Sequence, residues 1–278
     1  MPSISAVIIT LNEEKNIERC ILSLQRVADE IVVVDSYSED MTADICSRMG
    51  VKFYLHPFEG YREQKNYAMS LASNDWILSL DADEALSEEM EESILKEKSS
   101  MEHDGYLFNR LNRYCGTWIK HSNWYPDRKL RLFRRDMGEW KGINPHDHFV
   151  LNSGSHSKRL KGDILHFALD TYEEHIEKAN NFSSIAAREY YLRGKKTNPA
   201  SMIIRMVWRF VKAFFLKRGF MDGYNGFVIS SLSAYTSFLK YLKLRQLYLE
   251  ENGRLNRNNI DVSIAGVKKD NIKETEKS

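Results

Sequence analysis

DWILSLDADEAL, residues 75–86, turns from apolar to acidic within a single step. Trp76, Ile77, Leu78 and Leu80 read as a buried strand, and Asp81, Asp83 and Glu84 crowd its carboxyl end. Carboxylates this close repel one another, and stripping water from their charged forms is costly unless a cation or a donor compensates. The stretch therefore raises the question of which positive partner these acids meet. Taken alone, it could be a solvated turn opening the next helix, with Glu84, Glu88 and Glu89 favouring the helix dipole.

The segments before it argue for more. SAVIIT (5–10), EIVVVDS (30–36) and VKFYL (51–55) are further short apolar strands. Between them, LNEEKNIERCILSLQ carries Ile17, Ile21, Leu22 and Leu24 near helical spacing. SEDMTADICSRMG predicts a helix from about Ser38 closed by Gly50, and REQKNYAMSLA (62–72) a third. SEEMEESILKEK (87–98) predicts a helix with an acidic first turn. Continuous apolar strands alternating with helices imply a parallel sheet covered on both faces, which is an α/β fold. Ligands of such sheets gather at the carboxyl ends of the strands. Thr10, Asn12 and Glu13 follow the first strand, Asp35 and Ser36 end the second, and Asp81 to Glu84 end the fourth. One site can collect all three groups. Oxygen ligands of this kind suit Mg²⁺ or Mn²⁺, with phosphate oxygens completing the shell.

Composition excludes several classes. The chain has 278 residues and a formal net charge of +1, which gives no global argument for nucleic acid. Three dispersed cysteines, with no CxxC pair, suit a reducing compartment and disfavour a structural zinc site. No glycine precedes Gly50, so a P-loop or G-x-G-x-x-G turn is absent from the first strands. A phosphatase of the aspartyl-phosphate class would carry its D-x-D after an early strand, not the fourth. The start of the chain lacks a basic n-region, and no run of about 18 uncharged apolar residues occurs. A cytoplasmic protein is expected.

From about residue 101 the style changes. GYLFNRLNRYCGTWIKHSNWYPDRKLRLFRR is aromatic and basic, and GINPHDHFVL (142–151) and GDILHFAL (162–169) continue it. Helical periodicity returns from about Thr171 to Glu250, broken near Gly194–Pro199 and Gly219–Gly226. This divides the chain into an α/β half over 1–100, a second part over 101–170, a helical extension over 171–250, and a polar tail over 251–278 expected to be mobile.

AVIITLNEEKNI, EIVVVDSYSEDMTADI, YREQKNYAMSLASNDWILSLDADEAL and YPDRKLRLFRR together resemble the family-2 inverting glycosyltransferases of the GT-A fold. Within them the resemblance is nearest to the lipopolysaccharide core glucosyltransferases, and it extends over roughly residues 4–250. It implies a GT-A core with a mainly parallel sheet and a C-terminal helical extension. It also implies a nucleotide-sugar donor, uridine-based with a hexose such as glucose, and a divalent Mg²⁺ or Mn²⁺. On this resemblance Thr10, Asn12 and Glu13 lie around the nucleotide, Asp35 on the base or ribose, and Gln64 and Lys65 by the base and phosphates. Asp81 approaches the ribose or the metal shell, and Asp83 is the direct metal ligand. The subgroup carries a His-Glu pair after its RLFRR strand. Here the pair reads His146-Asp147, with Asp147 as the expected base and His146 or His148 orienting it or the acceptor. Arg131, in RKLRLFRR, is the expected phosphate or acceptor contact.

Each residue has a plainer alternative. Lys65 could be a helix-surface cation, Asp35 a helix cap, Arg131 part of a solvated edge strand, and His146-Asp147-His148 a structural run or a second metal site. His166 could be a satisfied strand-end histidine or a metal or phosphate contact. MIIRMVWRFVKAFFLKRGF (202–220) holds five basic residues and no acid, with Arg205, Arg209 and Lys212 on one face. It predicts a helix lying on an anionic membrane, a helix packed on 225–249, or both. The acceptor is then a membrane-associated glycan such as a lipopolysaccharide core, and the enzyme sits peripherally on the inner face of the cytoplasmic membrane. A peptide or protein glycosyltransferase and a non-catalytic nucleotide-binding scaffold are the competing functions.

Overall fold

The computed structural model describes residues 1–142 and 147–251. β1 (Ile4–Thr10), β2 (Glu30–Asp35), β3 (Lys52–Leu55) and β4 (Trp76–Asp81) pair in parallel in the order β3-β2-β1-β4. The helices α1 (Ile17–Leu24), α2 (Thr42–Arg48) and α3 (Tyr61–Leu71) connect them. α1 forms because Ile17, Cys20, Ile21 and Leu24 fall on one face, and all four are buried. They pack with Ile4, Ala6, Ile8, Leu78 and Leu80 on one side of the sheet. Val7, Val32, Val34 and Ile77 pack with Ala68 of α3 on the other. A sheet buried on both faces is what the continuous apolar runs imply. α2 starts later than the expected Ser38, because Ser38 and Asp40 spend their polar groups on the loop. The Ser38 amide donates to Asp35 Oδ2 (2.7 Å), and the Thr42 amide to Asp40 Oδ1 (3.0 Å).

After β4 the chain does not run straight into a helix. Asp81 ends the strand, Ala82 and Asp83 turn, and β5 (Glu84–Leu86) follows before α4 (Glu88–Glu97), whose Ser87 cap accepts from the Met90 amide. β6 (Gly105–Tyr114), β7 (Thr117–Ile119), β8 (Asp127–Arg134) and β11 (Ser157–Leu169) extend the same sheet to nine strands, in the path β3-β2-β1-β4-β8-β6-β11-β5 with β7 on β6. β8 is antiparallel to β4, and β5 pairs antiparallel with β11, so residues 84–86 sit at the far edge from the strand they follow. The doubly covered, mainly parallel sheet of a GT-A-like α/β core is therefore present, continued by antiparallel strands. β9 (Gly138–Lys141) and β10 (His148–Leu151) form a separate hairpin. Gly162 bends β11 at φ +88, where a Cβ would stand 2.4 Å from the Met90 amide nitrogen, so only glycine lets α4 lie this close.

The extension comprises α5 (Tyr172–Leu192), α6 (Pro199–Val211) and α7 (Gly223–Glu251). Capping boxes at Thr171/Glu174 and Asn198/Ser201 open α5 and α6. Ala187, Met202, Tyr241 and Leu244 make their shared core. α6 packs on α7, as one reading of the 202–220 segment expects, and leaves Ile203, Ile204, Val207 and Trp208 exposed. Phe215, Leu216, Phe220, Met221, Tyr224 and Phe227 continue this exposed apolar surface, with Arg205, Arg209 and Lys212 beside it. No described helix is long and apolar enough to cross a membrane. The polar tail beyond Glu251 lies outside the described residues.

Candidate functional site at the carboxyl ends of the strands

Asp81 and Glu84 meet cations of the protein itself, and Asp83 does not. Asp81 has one oxygen on each of two cations: Oδ1 lies 3.0 Å from Lys65 Nζ and Oδ2 2.9 Å from Arg131 Nη2. Burial alone would raise the Asp81 pKa, but Lys65 and Arg131 more than offset it and hold the carboxyl well below the usual range. Glu84 is fully buried. Its Oε1 accepts from Arg131 at 2.9 Å and pairs with Arg110 at 3.4 Å, while its Oε2 accepts from the Asp81 amide at 3.0 Å. Arg131 is itself buried; against that desolvation, Glu84 and Asp81 push its pKa up.

Two expectations change here. Glu84 belongs to the interior, not to a solvated turn, because β5 folds back against β11 and carries it inward. Arg131, expected on phosphate or acceptor, and Asp81, expected at the ribose or metal shell, are engaged with each other. A buried ion pair is stable only when its members stay together, so either would have to surrender a partner to take a ligand directly.

Asp83 is different. No lysine or arginine holds it among the described residues, and its Oδ2 faces His166 Nε2 at 3.1 Å. The other ring nitrogen of His166 meets Asn112 Oδ1 at 2.6 Å, and Asn112 Nδ2 donates to the Trp124 carbonyl at 3.2 Å. A carbonyl only accepts, so the Asn112 amide group must face Trp124 and its oxygen must face the ring. His166 Nδ1 therefore carries a hydrogen. In the neutral ring Nε2 is then a lone pair directed at a carboxylate, an arrangement that requires a proton or a cation between them. His166 sits near the apolar end of its strand, and that position is the signal for its partial burial; nothing in the sequence marked Asn112.

The expected nucleotide residues surround this point on the β1 and β2 side. Thr10 is buried, and its hydroxyl has no protein partner among the described residues. Asn12, at φ 54, accepts from the Glu39 amide and donates its own amide to Ser38, stitching the two strand-end loops together. Glu13 accepts from Asn16; burial raises its pKa, the Asn16 bond opposes this, and Asp83 and Asp40 add to it. Asp35 is buried with both oxygens on Ser38, through its amide and its hydroxyl, so it caps this turn. Gln64 is buried and links Ser36 to His56.

Lys65 is not a helix-surface cation. It is buried, lies 4.7 Å from the Trp140 ring centroid, and bridges Asp81 to Asp147 Oδ2 at 2.8 Å. Asp147 is thereby brought to the same cluster as 81–84. His148 opens β10 with an exposed side chain, and His146 lies outside the described residues. Among the described residues no three His, Cys, Asp or Glu side chains converge as a complete metal cage.

The family model described as glycosyl transferase family 2 matches residues 5–158, which contain the strand ends that build this site. An uncharacterized glycosyltransferase of Rickettsia typhi is 36% identical over 260 residues, covering 90% of this chain and 89% of that protein. The lipopolysaccharide core biosynthesis glycosyltransferase LpsC of Rhizobium meliloti is 31% identical over 250 residues, covering 87% and 92%. Among solved structures, glucosyl-3-phosphoglycerate synthase from Mycobacterium tuberculosis, in complex with Mn²⁺, uridine diphosphate and glucosyl-3-phosphoglycerate, is 24% identical with a TM-score of 0.33, over 41% of this chain and 45% of that one. That overlap is too partial to carry residues across. The match over the strand ends and the full-length relatives agree: the chain is a glycosyltransferase and belongs to glycosyl transferase family 2.

Proposed function

We propose that this glycosyltransferase moves a hexose such as glucose, with inversion, from a uridine diphosphate sugar to a lipopolysaccharide-core-like, membrane-associated glycan, using Mg²⁺ or Mn²⁺. The observation that supports the reading is the Asp83–His166 pair, a carboxylate and an imidazole nitrogen 3.1 Å apart at the strand end, joined by a proton here and able to turn to a divalent ion. The carboxylate suits either Mg²⁺ or Mn²⁺ and an added imidazole favours Mn²⁺ of the two, with water and diphosphate oxygens to complete the shell. When bound there, the ion would offset the negative charge that grows on the leaving diphosphate.

The protein's own groups supply the rest. Thr10 offers an unmatched hydroxyl to the nucleotide, beside Asn12 and Glu13, while Asp35 and Gln64 shape the wall where base and ribose lie. Asp81, Lys65 and Arg131 act as one framed charge cluster that sets the potential behind the diphosphate. Asp147 takes the proton of the attacking hydroxyl, and Lys65 fixes where its carboxylate sits. LpsC, a full-length relative named for lipopolysaccharide core biosynthesis, supports the acceptor class. The exposed apolar side of α6 and its continuation to Phe227, flanked by five cations and no acid over 202–220, supports peripheral contact with an anionic membrane.

The test is release of uridine diphosphate from a panel of uridine-diphosphate hexoses, with Mn²⁺, Mg²⁺ or EDTA. Release with a divalent ion and none with EDTA is expected; no binding or release from any donor under any of these conditions would sink the reading.

A further inference from the structure

Beside Asp83, and joined to Glu13 through Asn16, the molecule gathers positive charge that the chemistry above does not use. The guanidinium carbon of Arg19, on α1, stands 3.3 Å from the centroid of the Phe167 ring, and that of Arg113, on β6, stands 5.7 Å from the same centroid. Trp118 meets Phe167 edge-on at 5.5 Å. Lys178 reaches from α5 to donate to the Ala168 carbonyl at 3.1 Å. The Phe167 amide donates to the Asp83 carbonyl at 2.9 Å, so the cluster is joined to the metal-side acid through one backbone bond.

Guanidinium groups sharing one ring repel. Burial and then Arg113 lower the Arg19 pKa from its ordinary value. Arg19 donates only to the neutral Asn16 side chain, and Arg113 has Asp170 at 3.9 Å, a largely exposed carboxylate. Among the described residues no carboxylate lies within ion-pair distance of Arg19 or Lys178. Lys65, Arg110 and Arg131, by contrast, each hold two carboxylates. Concentrated positive charge beside an active strand end, with Asp83, Asp170 and Glu13 only partly offsetting it, attracts an anionic ligand, and planar guanidinium groups suit oxyanions.

We propose that Arg19 and Arg113, with Lys178, form a subsite for an anionic group, a phosphate or a carboxylate, carried by the sugar acceptor. The proposal rests on the glycosyltransferase chemistry assigned to Asp83 and His166. The donor diphosphate is a second source of the same oxyanion. Sheet order favours the acceptor: Asp35 is on β2, Asp83 follows β4, and Arg113 and Phe167 are on β6 and β11 beyond it. Trp118, beside this cluster, then gives the acceptor sugar an apolar surface to rest on.

The test titrates inorganic phosphate into the full chain and follows the ³¹P linewidth, with and without Mg²⁺ and uridine diphosphate. Saturable phosphate binding that adds to bound uridine diphosphate is expected. The R19Q/R113Q double variant should weaken phosphate by about tenfold or more while uridine diphosphate affinity holds. R19K/R113K, which keeps the charge, serves as the folding control and should retain most of the binding. No phosphate binding by the wild type, equal binding by R19Q/R113Q, or competition between phosphate and uridine diphosphate would overturn the subsite. Failure of uridine diphosphate alone to bind would count against the donor chemistry, and the titration without nucleotide would still read the subsite.

Discussion

The Lys65 ammonium lies 2.8 Å from the Asp147 carboxylate, although the two residues are 82 positions apart in the chain. The same ammonium holds Asp81 at 3.0 Å, so one cation ties α3, the end of β4 and the start of the β10 hairpin strand together. Removing it leaves the Asp147 carboxylate, whose side chain is 6% exposed, without its cation, and Asp81 with Arg131 alone. Lys65→Met should therefore cost about 3–5 kcal/mol of stability. Denaturant unfolding checks this; a change under 1 kcal/mol would mean that the pair is not held in solution.

Asn112 fixes which nitrogen of His166 bears the hydrogen, by accepting from Nδ1 at 2.6 Å. Asn112→Leu removes that constraint without touching Asp83. Manganese affinity, read from the paramagnetic resonance signal of the free ion, should fall about 10–100-fold. Unchanged affinity would show that the ring needs no such partner.

His175 adds an acid-sensitive term to stability. It is mostly buried against the Tyr114 hydroxyl, and burial, with Lys178 nearby, lowers its pKa from 6.5 to about 4. Between those values the unfolded chain binds a proton that the folded chain refuses, so stability is lost as pH falls from about 6.5 towards 4. Glu30, lowered from 4.5 to about 2, adds its own loss only below that window. Thermal midpoints of the wild type should drop between pH 7 and 5, and those of His175→Gln should drop less. Parallel pH profiles for the two proteins would assign the loss elsewhere.

Ile204 and Trp208 lie one turn apart on the exposed side of α6, 66% and 57% accessible. Exposed apolar groups in such a row, next to cations, favour an anionic bilayer surface. The intact protein should float with anionic liposomes, and I204E/W208E should stay in the dense fraction while keeping donor-sugar hydrolysis. Equal flotation of both proteins would remove α6 from the contact.

The strands and the grouping of their polar ends into one candidate site were legible because apolar runs and strand-end polar residues are local signals. Asp35, Asp81 and Asp83 announced themselves in this way. Their partners did not. Lys65 and Arg131 neutralise Asp81 from elements 16 and 50 residues away, and only the third dimension joins them. A hint existed in Arg131, a charge set between Leu130 and Leu132 in the apolar middle of a strand whose ends are charged. β5 escaped notice because three residues are too few to show a period. Its reversal is what moves Glu84 from the turn into the interior.

The central claim is that Asp83, and not its neighbour Glu84, is the acid that serves the metal. Calorimetric titration of Mn²⁺ into the protein with uridine diphosphate tests it most directly, using wild type, Asp83→Asn and Glu84→Gln. Wild type and Glu84→Gln should bind within a few-fold of one another, Glu84→Gln with lowered stability, while Asp83→Asn should lose about a hundredfold or more. Binding by Asp83→Asn as tight as that of the wild type would contradict the assignment of the site.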